Sequence, residues 1–125
     1  MSGPNLDIVL VEDDASLRHA LQRMLQAAGY LVRPYGSAEA LLEVGIDQTK
    51  QCDCLVLDIC LPGMSGIDLS RTLLATKPCP PFILITGIDT PGLRDLASRT
   101  GAHGYLLKPF TGTELLEAIK RAMAG

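Results

Sequence analysis

Four apolar runs of this sequence each lead into a group that can do chemistry. Leu6 to Val11 is followed by Glu12, Asp13 and Asp14; Cys54 to Leu57 by Asp58; Phe82 to Ile85 by Thr86; and Tyr105 to Leu107 by Lys108. Asp13 and Asp58, with Glu12 behind them, supply hard oxygen ligands too few to enclose calcium. They suit Mg²⁺, which keeps several waters and accepts phosphate oxygens. A cation there also relieves the repulsion that would raise one carboxylate pKa. Lys108 can neutralise charge on a phosphoryl group, and the Thr86 hydroxyl can donate to one of its oxygens. Asp58, ionised at neutral pH, is then a nucleophile able to form an aspartyl-phosphate. Singly, each residue has a plainer reading: an acid after a strand caps a helix, a threonine is a structural hydroxyl, a lysine is solvated. Capping accounts for Asp14 but leaves Asp13, Asp58 and Lys108 unexplained.

These residues meet only if the runs are neighbouring parallel strands. Leu55 to Leu57 is too short for a helix, apolar throughout, and followed by the turn pair Pro62-Gly63, which reads as a central strand buried on both faces. Tyr30 to Tyr35 alternates like a strand, but Pro34 cannot donate to a ladder and assigns it to an edge. Between the strands, helical spacing recurs. Leu17, Leu21, Met24, Leu25 and Ala28 form one apolar stripe, with Asp14 as N-cap and Gly29 in the position of a C′ glycine. Ser37 caps a short helix carrying Ala38, Leu41 and Leu42, and Ile46 to Gln51 reads as a polar surface loop. Ser65 starts a helix with Leu69 and Leu73 inward, stopped by Pro78-Cys79-Pro80-Pro81. Thr90-Pro91 starts another with Leu93, Leu96 and Ala97 inward. Thr111 and Glu114 form a capping box before Leu115, Ala118, Ile119 and Ala122. Five strands alternating with five helices predict an α/β, doubly wound, five-stranded parallel sheet in the order 2-1-3-4-5, helices on both faces. All strand carboxyl ends then lie on one edge, where ligands bind in such sheets.

At 125 residues and 47% hydrophobic content, the chain makes one domain over 1–125, with a frayed leader at 1–5. A net charge of -3 and a pI near 5.2 offer no basic face for nucleic acid. No charged leader precedes an apolar segment and no apolar run is long enough to span a bilayer, so a cytoplasmic protein without membrane attachment is expected. The four cysteines, Cys52, Cys54, Cys60 and Cys79, lack paired zinc-site spacing and read as small, mostly buried hydrophobes. His19, on the outer part of a helix, and His103, in a glycine-rich turn, are given no role.

With these residues in view, the chain resembles a response-regulator receiver domain of two-component signalling systems. The likeness runs from Ile8-Val-Leu-Val-Glu-Asp-Asp14 through Asp58-Ile-Cys-Leu-Pro-Gly-Met-Ser-Gly66 to Thr86-Gly87 and Tyr105-Leu-Leu-Lys-Pro-Phe110. It implies that Asp58 accepts a phosphoryl group from the phosphohistidine of a sensor histidine kinase. It implies Mg²⁺ held directly by Asp13 and Asp58, by the backbone carbonyl of Cys60, and by Glu12 through water. It further implies a cis bond between Lys108 and Pro109. Phosphorylation adds roughly one and a half to two negative charges; Thr86 is then expected to move toward the phosphoryl oxygens and Tyr105, the switch aromatic, into the vacated space. The reporting surface would be the Thr90 helix, the Tyr105 strand and the last helix, with room for a homodimer on phosphorylation and for an effector domain outside this chain. Such a domain is not an enzyme acting on others; it catalyses its own phosphorylation and slow dephosphorylation.

Two positions depart from the commoner polar pattern. Cys60 and Ile88, each two residues beyond a site residue, have no amide or carboxylate to orient an attacking water, so self-dephosphorylation should be slow. A haloacid-dehalogenase-like phosphatase would need a second Asp where Cys60 stands. A flavin-binding module of the same fold would need a phosphate loop where the acids follow the first strand.

Overall fold

The computed structural model describes residues 6–49, 51–75 and 78–124; the leader expected over 1–5 lies outside them. The apolar runs become five strands: β1 (Asp7–Val11), β2 (Leu31–Tyr35), β3 (Cys54–Asp58), β4 (Phe82–Thr86) and β5 (Gly104–Leu107). All pair in parallel, in the order β2-β1-β3-β4-β5. β3 and β4 are buried along their whole length, whereas β2, with Pro34, lies at an edge.

The helices are α1 (Ala15–Ala27), α2 (Ala38–Glu43), α3 (Ile46–Thr49), α4 (Gly66–Leu74), α5 (Pro91–Ser98) and α6 (Gly112–Ala124). Because side chains alternate across a strand, the sheet feeds two cores. Ile8, Leu10, Val56, Ile83 and Ile85 pack with Leu21 and Leu25 of α1 and with Leu115, Ala118, Ile119 and Ala122 of α6. Val9, Val11, Leu55, Leu57 and Leu84 pack with Leu41 of α2, Leu69 and Leu73 of α4 and Ala97 of α5. Burying aliphatic side chains of this size stabilises by about 1.5–3 kcal/mol each.

The expected caps form. Asp14, Ser37, Ser65 and Thr90 each accept a backbone N–H of the first turn. Thr111 N donates to Glu114 Oε1 at 2.8 Å and Glu114 N to Thr111 Oγ1 at 3.1 Å. Gly29 takes a φ of +99° beyond the Ala28 C-cap.

Three expectations need correction. Among the described residues there are six helices, not five: Ile46–Thr49, read as loop, closes a single turn. Its backbone is satisfied by Thr49 N donating to Gly45 O at 3.0 Å, and the buried Thr49 hydroxyl donates to the same carbonyl at 2.9 Å. A side-chain bond of this kind leaves no mark in hydrophobic periodicity. Leu96, expected inward on α5, is 37% exposed, since Ala97 is the residue that α5 buries. The cysteines are not uniformly buried: Cys54 is, Cys52 and Cys79 are half-buried, and Cys60 is exposed.

Candidate functional site

The parallel order puts the carboxyl ends of β1, β3, β4 and β5 side by side. β1 beyond Asp7, and β3, β4 and β5, stay uncharged until the last residue or the one after it, so each reactive group emerges where the core ends. Glu12 and Thr86 are fully buried and Asp58 nearly so, while Asp13 is exposed.

Lys108 ties the group together. Its Nζ lies 2.9 Å from Asp58 Oδ2 and 2.6 Å from Glu12 Oε1. The lysine side chain is 22% exposed and the Glu12 side chain not at all. Asp58 Oδ1 accepts from the Cys60 backbone N–H at 3.0 Å, and Glu12 Oε2 accepts from Asp14 N at 3.1 Å. One ligand oxygen from each of Glu12, Asp13 and Asp58 lies within 4.8 Å of the others. Thr86 Oγ1 accepts from Ile88 N at 3.1 Å and lies 3.6 Å from Cys60 Sγ. The Lys108 backbone N–H donates to Thr86 O at 2.8 Å, extending the β4–β5 ladder into the site. The Lys108–Pro109 bond is cis, as expected.

The electrostatics follow from burial. Desolvation pushes the Glu12 carboxyl up to about 7; the Lys108 ammonium opposes this, and the Asp58 carboxylate adds to it. Burial pulls the Lys108 ammonium down, but its ion pairs with Glu12 and Asp58 outweigh that and hold it above the ordinary lysine value. One ammonium thus faces two buried carboxylates, with a third beside them. Glu12 Oε1, although close to Lys108, receives no aligned hydrogen bond. An oxygen-only donor set, short of positive charge, fits a hard divalent cation.

All residues expected at the site, Glu12, Asp13, Asp58, Cys60, Thr86 and Lys108, converge on this edge. Tyr105 sits beside them rather than among them: it is half-buried and its hydroxyl lies 3.5 Å from Ile88 O, too long for more than a weak contact. His19 and His103 are exposed.

The structure adds residues that the sequence reading passed over. Arg18 Nη1 donates to Glu12 O at 2.8 Å and so braces the acidic turn from α1; its spacing from Asp14 offered a local hint. Gly66 has no room for a side chain, because a Cβ there would lie 2.2 Å from Asp58 O. Glycine at the first position of a capped helix was the available signal. Glu39 of α2 reaches the turn after Asp58, where its Oε2 accepts from Met64 N at 2.8 Å; nothing local to residue 39 announces it.

Comparison with known proteins agrees with this geometry. The family model described as response regulator receiver domain matches residues 8–120. The chain is 36% identical over 116 residues to the C4-dicarboxylate transport transcriptional regulatory protein DctD of Rhizobium meliloti (strain 1021), covering 92% of this chain and 25% of that protein. It is 37% identical over 113 residues to the transcriptional regulatory protein FixJ of the same organism, covering 90% of this chain and 54% of that protein. The chain therefore spans about half or less of these relatives. Among solved structures, FixJ-N superposes with a TM-score of 0.87 at 34% identity, covering 98% of this chain and 96% of that one. The BeF3-activated DrrB receiver domain superposes with a TM-score of 0.85 at 27% identity, covering 98% of this chain and all of that one. On fold, site and sequence together, this chain belongs to the response-regulator receiver domains of two-component signalling.

Proposed function

We propose that this domain accepts a phosphoryl group on Asp58 from the phosphohistidine of a sensor histidine kinase, with Mg²⁺ as cofactor, and changes conformation in response. The observation that carries this reading is the Lys108 ammonium lying between Asp58 and Glu12 at the strand-end edge, with Asp13 alongside. Asp13, Asp58 and the Cys60 carbonyl would hold the cation directly and Glu12 through water. When bound, Mg²⁺ supplies positive charge that offsets carboxylate repulsion and the charge on the incoming phosphoryl oxygens.

The protein's own groups do the rest. The Asp58 carboxylate forms the new O–P bond as the donor's P–N bond breaks; the histidine nitrogen keeps the electron pair. The Cys60 amide orients the Asp58 carboxylate from one side and Lys108 from the other. No external substrate is turned over, and the domain is not an enzyme beyond its own phosphorylation and slow dephosphorylation.

The switch runs through the turn after β4. Thr86 Oγ1 is held by Ile88 N, and the Ile88 carbonyl is the atom that Tyr105 OH approaches. Drawing the Thr86 hydroxyl toward a phosphoryl oxygen frees Ile88 N and loosens the backbone that Tyr105 touches. That shifts a two-state balance rather than creating a new state. The face affected is α5, β5 and α6, suited to self-association or to an effector domain elsewhere in a longer protein. Relatives named as transcriptional regulators support a cytoplasmic regulator of that kind. The net charge of -3 keeps DNA contact out of this domain, and none of the helices among the described residues is long and apolar enough to cross a membrane.

The test is to incubate wild type and Asp58→Asn with a small-molecule phosphodonor, with and without Mg²⁺, and to read intact mass. Wild type should gain one phosphoryl group only with Mg²⁺, and the variant none. Equal labelling of both, or none on wild type, overturns the proposal.

A further inference from the structure

The backbone that leaves β3 at Asp58 turns through 59–65 before α4 begins, and it carries Cys60, whose amide holds Asp58 Oδ1. The base of this turn is fixed locally: Leu61 N donates to Ile59 O at 3.1 Å and Gly66 N to the same carbonyl at 3.0 Å. Its tip, 62–64, is tied by hydrogen bonding to another element at one point among the described residues, the Glu39 carboxylate of α2 on Met64 N at 2.8 Å. Gly63 makes this approach possible. It sits at a φ of +73°, and a Cβ there would lie 2.5 Å from Glu39 Oε2, so the missing side chain is what lets the carboxylate close over the turn.

We infer that Glu39 is a positioning residue for the Asp58 site: by clamping the tip of the turn to α2 it fixes the Cys60 backbone, and through it the site's hold on a divalent cation. The inference rests on the proposed role of the Cys60 carbonyl as a cation ligand. A carboxylate accepting from a backbone N–H makes one of the stronger kinds of hydrogen bond. The Met64 N–H is the main reason that the Glu39 carboxyl is held below its usual range, so the group stays charged at working pH. Glu39 reaches the site only through backbone, at a distance from the chemistry. Its loss should therefore change how well Cys60 is presented without removing any group that touches the cation.

Glu39→Ala and Glu39→Gln are compared with wild type in the 125-residue chain. Mg²⁺ affinity is read by calorimetric titration, and the Cys60 and Met64 amides by hydrogen exchange. Glu39→Ala should bind Mg²⁺ about threefold to tenfold more weakly, at or below the range found when a group bonded directly to a metal ligand is removed, with faster exchange at both amides. Glu39→Gln keeps an acceptor oxygen and should stay within about twofold of wild type in affinity, since a neutral acceptor makes the weaker form of the same bond. Wild-type affinity in Glu39→Ala, or a loss in Glu39→Gln as large as in Glu39→Ala, overturns the clamp. Unchanged Cys60 exchange in Glu39→Ala overturns it without reference to any metal, whereas a wild type that takes up no Mg²⁺ overturns the cation reading itself.

Discussion

Replacing Glu12 by Gln should make the metal-free domain more stable at alkaline pH and flatten its pH dependence. Burial raises the Glu12 carboxyl from 4.5 to about 7 in the folded protein. A carboxyl raised by folding contributes its stability below the unfolded value, near pH 4.5, and that contribution is lost as pH rises through about 7. At about 1.36 kcal/mol for each step of one on the pH scale, the gap sets a ceiling of about 3 kcal/mol. Solvent reaching the cluster from the exposed Asp13 side lowers this to about 2 kcal/mol. Urea unfolding in a chelator at pH 5 and pH 8 measures the effect, and the difference between wild type and variant cancels the two histidines, which are common to both. Wild type should lose about 2 kcal/mol more than Glu12→Gln over that interval. Adding Mg²⁺ at pH 8 should restore much of the loss in wild type, because a ligand bound only by the folded state stabilises it by mass action. Parallel stability profiles for the two proteins would refute the account of Glu12 as a buried, charge-strained carboxylate.

Lys108→Ala leaves Glu12 and Asp58 facing each other without their shared ammonium; phosphoryl uptake from a small phosphodonor should fall by about tenfold to a thousandfold, with intact mass against time as the measurement. Gly66→Ala forces a methyl against Asp58 O, 2.2 Å from its Cβ, and should destabilise by about 3 kcal/mol or more in urea unfolding. Cys60→Asn gives the site an amide able to orient water and should shorten the lifetime of the phosphorylated domain by about tenfold, read as loss of the phosphoryl mass after the donor is removed. Loss from wild type within seconds would contradict the slow-decay reading.

Most of the fold was legible because period and punctuation agreed. β3 could be read from an apolar run ending in Asp58 and a Pro-Gly turn, and β2 placed at an edge from Pro34 alone. The site was legible for a related reason: a parallel sheet turns four separate strand ends into one place, so Glu12, Asp13, Asp58, Thr86 and Lys108 needed only the strand order to be brought together. What escaped depends on contacts that periodicity does not encode. The Ile46–Thr49 turn is held by a threonine hydroxyl. The orientation of α5 is decided by which of two adjacent residues, Leu96 or Ala97, meets the sheet. Glu39 and Arg18 act on backbone atoms of other segments, and a bond to backbone carries no residue-type signature at its far end.

The charge strain at this edge and its signalling role have one origin. Two buried carboxylates share a single ammonium, so above about pH 7, where Glu12 is charged, the folded domain holds negative charge that a further cation would balance. Replacing an acid would stabilise the fold and remove the means of binding that cation, the usual opposition between stability and activity. The same economy governs the response. Thr86 and Lys108, the two residues proposed to meet the phosphoryl group, are joined through the bond from Lys108 N to Thr86 O. That bond couples their backbones, so a phosphoryl group on Asp58, as proposed, would act on β4 and β5 together. The turn after β4 holds Ile88, whose amide is on Thr86 and whose carbonyl faces Tyr105. Once the hydroxyl is drawn away, the Ile88 amide loses the side-chain bond that holds it.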